Sequence, residues 1–364
     1  MKFTKEKFSC LTEVFEQWWA HKLERPIIQV TLIPDLEAEG DLFTPDFRRS
    51  VLDAMYDMEM PPEEVAECVE AAYEKLIFLG DAFPVFYMRP TGILGGYLGQ
   101  QFEIDHQHGT VWFDKMELGL EEIAERSLDL ENRLFVRSVE ITKAVQNRFD
   151  GRMAIGFPDL GGICDILSSI RDPNVLLLDL CDNEAGVKRA LSNIHMQFIK
   201  AYDYFDTVID TGKIPGYSAW ASMLSKEPYF VLQNDFSAMI GPDMYDEYYL
   251  PILRKECRHI PRTMYHLDGP EAVRHLDSIL SVDELDAVQW INGAGAPGLD
   301  QWPDLYKKII GAGKLCQVFI NGSRELWYID EIIRIAGTGK GFCFICNGTE
   351  GERDEFERYL RSRS

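Results

Sequence analysis

Residues 263–270 read Thr-Met-Tyr-His-Leu-Asp-Gly-Pro, and this stretch shows the unit from which the fold is built. Its apolar run predicts a buried strand that ends at His266. Asp268 or Gly269 then caps a helix that has Pro270 in its first turn. A strand that leads directly into a capped helix is typical of proteins with a parallel sheet covered by helices.

The same unit recurs along the chain. Apolar runs rich in β-branched or aromatic residues predict eight strands, at 26–33, 83–88, 153–157, 229–234, 263–267, 287–291, 315–320 and 342–346. The segments between them have apolar spacings of three and four, which predicts helices. Because the strands lack polar alternation, both faces of the sheet should be covered. Eight such units predict an α/β protein with a (β/α)8 TIM barrel, and a doubly wound open sheet is the alternative.

The barrel should include the whole chain, 1–364, as a single domain, with residues 1–25 as an N-terminal helical elaboration. Residues 101–105 and 110–113 predict a hairpin around the turn 106–109, in the loop after the second predicted strand. Loops that follow barrel strands lie at the C-terminal mouth, where active sites of this architecture are found. We therefore expect the hairpin to lie over the mouth.

Charge and composition restrict the class of protein. The 364 residues include 37 Lys and Arg against 60 Asp and Glu, a net charge of −23, which disfavours nucleic acid and anionic lipid as partners. No signal-peptide core is visible, and no apolar run approaches the roughly 20 residues of a membrane span. The eight cysteines are scattered, which favours reduced thiols. We expect a cytoplasmic protein that binds a small-molecule substrate.

Two strand ends carry the strongest candidates for chemistry. His266 ends the fifth predicted strand, where it can serve as a metal ligand or as a general acid or base. Alternatively, it only forms a hydrogen bond with the following loop. Asp268 can be a second ligand or only a helix cap. Asp235 ends the fourth strand and can bind substrate, act as a base, orient His266 or cap the next turn.

Other strand ends offer candidates for substrate contact. Gln289, Trp290 and Asn292 end the sixth strand before a Gly-rich loop, and Trp290 fits a core position equally well. Asn234 directly precedes Asp235. Cys346, on the eighth strand, is either a soft metal ligand or a buried structural cysteine.

Several of these segments resemble the uroporphyrinogen decarboxylase superfamily. Residues 234–251, Asn-Asp-Phe-Ser-Ala-Met-Ile-Gly-Pro-Asp-Met-Tyr-Asp-Glu-Tyr-Tyr-Leu-Pro, are similar to a family signature after strand four. Residues 265–269, Tyr-His-Leu-Asp-Gly, are similar to the family's His-x-Cys-Gly, and 171–174 and 179–184 fit its middle region. The resemblance implies a (β/α)8 fold and either a decarboxylase or a corrinoid- and coenzyme M-linked methyltransferase.

Departures from the family pattern separate these activities. The first strand region, 29–35, has no arginine for the carboxylates of a tetrapyrrole, which argues against uroporphyrinogen as substrate. The methyltransferase branch binds zinc through His, Cys and a later Cys. The resemblance therefore implies zinc held by His266, by Asp268 in place of the first cysteine, and by Cys346.

The first hypothesis is a methyltransferase acting on a small methylated substrate, with Tyr217, Trp220 and Trp290 as pocket walls and Asp235 orienting or deprotonating. Its corrinoid would be carried by a separate protein, because the Asp-x-His motif of a corrinoid module is broken by Gln107 after Asp105. The alternative is a metal-free lyase or decarboxylase with Asp235 and His266 as the proton-transfer pair. A non-catalytic binding protein is a third class, and a homodimer is left open.

Overall fold

We analysed the fold in a computed structural model, which describes residues 3–35, 46–106 and 109–363. The strands of these ranges follow in chain order: β1 (Ile27–Ile33), β2 (Ile77–Gly80), β3 (Val85–Phe86), β4 (Phe102–Asp105), β5 (Thr110–Phe113), β6 (Ala154–Gly156), β7 (Tyr217–Ser218), β8 (Tyr229–Gln233), β9 (Arg262–Asp268), β10 (Ala287–Ile291), β11 (Leu315–Asn321) and β12 (Phe342–Thr349).

Helices fill the intervals between the strands. They are α1 (Lys5–Trp19), α2 (Asp46–Tyr56), α3 (Pro62–Glu74), α4 (Ile93–Tyr97), α5 (Leu120–Glu125), α6 (Arg133–Phe149), α7 (Ile163–Arg171), α8 (Pro173–Asp182), α9 (Glu184–Val208), α10 (Pro242–Tyr248), α11 (Leu250–His259), α12 (Gly269–Ala272), α13 (Leu276–Leu280), α14 (Pro303–Gly311), α15 (Trp327–Ala336) and α16 (Arg353–Arg361). In the described ranges none of these helices has the length and apolar character needed to cross a bilayer.

The sheets are mainly parallel, as the sequence predicts for an α/β protein. One sheet has the order β2-β1-β12-β11-β10-β9-β8, in which β2 alone runs antiparallel to its neighbour. A second, parallel sheet has the order β3-β6-β7. The last predicted strand pairs with the first, from Ile27 opposite Cys343 to Ile33 opposite Thr349. This confirms the predicted parallel pairing of the last strand with the first, in an α/β protein whose sheets are mainly parallel.

One segment differs from its predicted structure. The spacing of apolar residues predicts a helix over 62–79, but this helix ends at Glu74, and Ile77–Gly80 instead forms β2 on the edge of β1. Gly80 allows this because its φ is +60°, and a Cβ there would lie 2.4 Å from the Ile28 carbonyl oxygen. The apolar spacing of this stretch is compatible with either structure, and pairing with β1 decides it.

Helix α1, the predicted N-terminal elaboration, covers the N-terminal ends of the strands. The Trp18 indole Nε1 donates to the carbonyl oxygen of Phe342, at the start of β12, at 3.1 Å. Arg262, at the start of β9, forms a two-pronged ion pair with Glu16 at 2.6 and 2.7 Å. Because α1 occupies this end, the opposite, C-terminal ends of the strands are the side available for a site.

The predicted hairpin is present as β4 and β5, which pair from Phe102 opposite Phe113 to Asp105 opposite Thr110. It packs on α2, where the rings of Tyr56 and Phe102 are 5.0 Å apart. Residues 107–108 of its turn lie outside the described residues. The described hairpin residues do not border the cavity that Arg89 and Trp220 line, so a role as a lid stays a prediction.

Candidate functional site at the C-terminal strand ends

Three titratable side chains meet where β8 and β9 end. His266 and Asp268 lie on β9, and Asp235 begins the 3-10 turn after β8. Because Gln233 is the register partner of His266, the two strand ends are direct neighbours. One ligand atom from each of the three residues lies within 4.8 Å of the others, and His266 Nε2 is 4.0 Å from Asp235 Oδ1. The structure thus brings three of the predicted site residues together.

A chain of side-chain amides fixes the orientation of the His266 ring. Gln317 Nε2 donates to the carbonyl oxygen of Ala221 at 2.8 Å, and Gln289 Nε2 donates to Gln317 Oε1 at 2.6 Å. Gln289 Oε1 lies 2.5 Å from His266 Nδ1. Because the carbonyl at the end of the chain can only accept, each amide has one allowed orientation and His266 Nδ1 must carry the hydrogen. The lone pair of Nε2 is then directed toward Asp235.

Burial shifts the charges of this group toward neutrality. Loss of solvent lowers the pKa of His266, which keeps its Nε2 lone pair available near neutral pH. Burial, followed by the negative charge of Asp268, raises the pKa of Asp235, although 52% of its side chain is exposed at the mouth. A carboxyl group with a raised pKa beside a histidine with a lowered pKa is suited to proton transfer or to binding a cation.

Asp165, in the first turn of α7, holds the loop that carries Asp235. Its carboxylate accepts from the backbone N–H of Asp235 at 3.1 Å and of Phe236 at 2.8 Å. Burial and the nearby Asp235 charge raise the pKa of Asp165. Sequence analysis missed this residue, and the available signal was an acidic side chain in the loop–helix segment after the third predicted strand.

A cavity of about 370 Å³ lies near this group, although none of the three residues borders it. Trp220 connects the two, because its ring borders the cavity and lies 5.0 Å, edge to face, from the His266 ring. Trp290 and Asn292, two other predicted substrate contacts, also border it. Trp290 is nevertheless fully buried, and its ring lies 4.9 Å from that of Trp302. This burial agrees with the core position that the sequence also allowed for Trp290.

Three predicted substrate contacts, Tyr217, Asn234 and Gln289, do not border this cavity. The Tyr217 ring stacks on Phe157 at 5.8 Å in the core beneath the helices. Asn234 is 2% exposed and sits behind the strand end. Neither borders the cavity, so their assignment as substrate contacts stays a prediction. Gln289 does not border it either, but it contacts His266 directly.

Cys346 does not join the metal-ligand group. Along β12, Ile345 and Asn347 border the cavity, whereas Phe344 and Cys346 belong to the core on the helix side. Successive side chains on a strand point to opposite faces, so the Cys346 thiol faces away from the site. Burial also raises its pKa well above that of an ordinary thiol. Cys346 thus lies outside the group formed by Asp235, His266 and Asp268, and its assignment as a metal ligand stays a prediction without geometric support.

Comparisons with known proteins bear on the fold. No protein-family model matches the chain, and no curated protein sequence matches it. Among solved structures, a methyltransferase from Methanosarcina mazei is similar over 97% of each chain, with a TM-score of 0.63 and 12% sequence identity. At this identity the likeness establishes a shared fold.

Proposed function

We propose that the chain is a methyltransferase of the uroporphyrinogen decarboxylase superfamily, built on a complete (β/α)8 barrel. It would move a methyl group from a small O- or N-methylated compound to a corrinoid carried on a separate protein. The observation that carries this proposal is the His266 ring, locked by Gln289 with Nε2 directed toward two strand-end carboxylates. The structural likeness to a methyltransferase supports the same activity.

The donor atoms present fit a divalent metal ion. His266, Asp235 and Asp268 supply one neutral nitrogen and two carboxylate oxygens, a set that zinc accepts. Asp235 thus takes the place that the resemblance gave to Cys346. The bond from His266 Nδ1–H to Gln289 is the outer contact that a metal-bound histidine ordinarily makes. When bound, the metal would supply Lewis-acid polarisation of the substrate heteroatom.

The residues of the chain have separable tasks in this proposal. His266 presents a lone pair of fixed direction, and Asp268 adds negative charge beside it. Asp235, held by Asp165, completes the ligand set, and in metal-free protein the same carboxylate would orient the substrate or take a proton from it. Trp220 forms the wall between His266 and the cavity. The corrinoid protein would approach the same C-terminal face, because α1 covers the other.

A metal-free lyase or decarboxylase is the second candidate. Two observations favour it: the Cys346 thiol faces away from the site, and Asp235 lies 4.0 Å from His266 Nε2. The pKa of the carboxyl group is raised and that of the imidazole is lowered, both chiefly by burial, so the two values approach each other. Such a pair can pass a proton to and from a substrate without a metal.

Metal content followed by methyl transfer tests the proposal. Protein purified without added metal or chelator is analysed for zinc, and methylcobalamin formation from cob(I)alamin is followed with a panel of small methyl ethers and methylamines. We expect one metal ion per chain and methyl transfer, both lost in His266→Ala and Asp268→Asn. Asp277→Asn, an exposed carboxylate paired with Lys308, is the matched control. Metal-free protein that releases CO2 from a small acid would instead support the lyase.

A further inference from the structure

Three buried side-chain N–H donors at the cavity beside Trp220 have no acceptor among the described residues. They are Nε of Arg89 and the indole Nε1 of Trp220 and of Trp290, and all three residues border the cavity. A buried donor without an acceptor destabilises the protein, so such groups are normally paired. Three of them around one cavity indicate that a ligand with acceptor atoms belongs there.

Arg89 also determines the charge of that ligand. It follows β3 directly, and its guanidinium lies 5.3 Å from the ring centre of Tyr87. Among the described residues that border the cavity, Arg89 is the only one with a charged side chain. The nearby carboxyl group of Asp159 does not form an ion pair with it; burial raises the pKa of Asp159 to about 6, and Thr91 Oγ1 donates to it at 2.7 Å.

The remaining walls indicate the body of the ligand. Aromatic rings dominate them, from Phe78, Phe83, Tyr87, Trp220 and Phe319. The volume of about 370 Å³ lies within the range of small-molecule sites. Walls that are mostly apolar and aromatic, with some uncharged polar side chains and one cation, suit a flat, mainly apolar molecule that ends in an anion.

We propose that this cavity binds a carboxylate attached to a flat apolar body, with Arg89 and Trp220 donating to the carboxylate oxygens. Arg89 is then the residue that determines substrate specificity. This assignment rests on the proposed function, in which the cavity is the substrate site. An arginine fork recognises a carboxylate by geometry as well as by charge, so lysine should replace it poorly.

Direct binding measurements on the full chain test the proposal without any reaction. Isothermal titration calorimetry compares para-methoxybenzoate with para-methoxybenzamide, which has the same shape and no charge. The variants are Arg89→Met, Arg89→Lys and Trp220→Phe, which keeps the ring and removes the donor. Arg334→Met is the control, since that exposed arginine on α15 pairs with Glu331. Circular dichroism establishes that each variant is folded.

We expect saturable binding of the benzoate, at least about 10-fold tighter than the benzamide, because a charge-assisted hydrogen bond is lost in the amide. Arg89→Met should abolish this preference, Arg89→Lys should restore part of it, and Arg334→Met should leave it unchanged. Equal affinity for both probes, no binding of either up to about 10 mM, or an unaltered preference in Arg89→Met would overturn the proposal. Benzoate binding without methyl transfer to cob(I)alamin would contradict the proposed function alone.

Discussion

Replacing Gln317 should change the chemistry of His266 although the two side chains do not touch. Gln317 holds the Gln289 amide in one orientation by accepting from its Nε2 at 2.6 Å. In Gln317→Leu this constraint is lost, and Gln289 can turn its NH2 group toward His266 Nδ1. The histidine hydrogen should then be shared between Nδ1 and Nε2, and in the Nε2–H form the lone pair no longer faces Asp235.

The size of the effect follows from the hydrogen bonds that are lost. In the variant the original orientation leaves a buried Gln289 N–H without an acceptor, and the reversed orientation leaves Oε1 without a donor, so each costs about 1–3 kcal/mol and neither is strongly preferred. In the wild type the Gln317 contact favours the Nδ1–H form by roughly 5- to 150-fold, since about 1.4 kcal/mol corresponds to a tenfold change in an equilibrium constant. The variant should therefore populate both tautomers, and metal affinity or activity that depends on the Nε2 lone pair should fall in proportion to the loss of the Nδ1–H form.

Nitrogen NMR of histidine-labelled protein measures the tautomer, and His266→Asn identifies the signal. Gln29→Leu is the matched control: Gln29 is 3% exposed on β1, and its amide donates to the Ser222 carbonyl oxygen, outside the chain that reaches His266. It should leave the His266 signal unchanged. A wild-type tautomer in a folded Gln317→Leu variant would refute the argument that the amide chain sets the hydrogen position.

Three further outcomes are expected. Cys346→Ala should keep the metal content of the wild type, measured by elemental analysis. It should lower the free energy of unfolding by about 1 kcal/mol, because the Cys346 thiol packs in the core. Loss of the metal in this variant would instead identify Cys346 as a ligand. Burial raises the pKa of Glu256 from 4.5 to about 8, so its stabilising contribution is complete below about pH 4.5 and lost as pH rises through about 8. The melting temperature of the wild type should therefore fall relative to Glu256→Gln across this window, and parallel curves would contradict the shift. Arg137 donates to four backbone carbonyls at the end of α2 and in the loop after it. Arg137→Met should therefore lower the free energy of unfolding, measured in urea, by roughly 2–4 kcal/mol. A loss below about 1 kcal/mol would show that water replaces these hydrogen bonds.

The sequence predicted the parts of the fold that depend on local pattern. Apolar runs bounded by turn residues placed the strands that become β1 and β9–β12 nearly where the structure has them. The Asp-Gly-Pro sequence after His266 placed that residue at a strand end. Because neighbouring parallel strands end at the same edge, the closeness of Asp235 to His266 could also be reasoned from strand order.

Other features required the tertiary structure. A shift of one residue along a strand decides whether a thiol faces the cavity or the helices. Because the residues around Cys346 are apolar on both faces of the strand, the sequence does not indicate which face the thiol takes. Asp165 reaches Asp235 from 70 positions earlier in the chain, and Gln317 reaches Ala221 across 96 positions. Glutamine in an apolar strand signals a buried polar contact, but its partner is set by packing. The periodicity of apolar residues indicates which residues of one element are buried. Hydrogen-bond partners depend instead on how elements distant in the sequence pack together. The tautomer of His266 depends on such partners, so only the tertiary structure decides it.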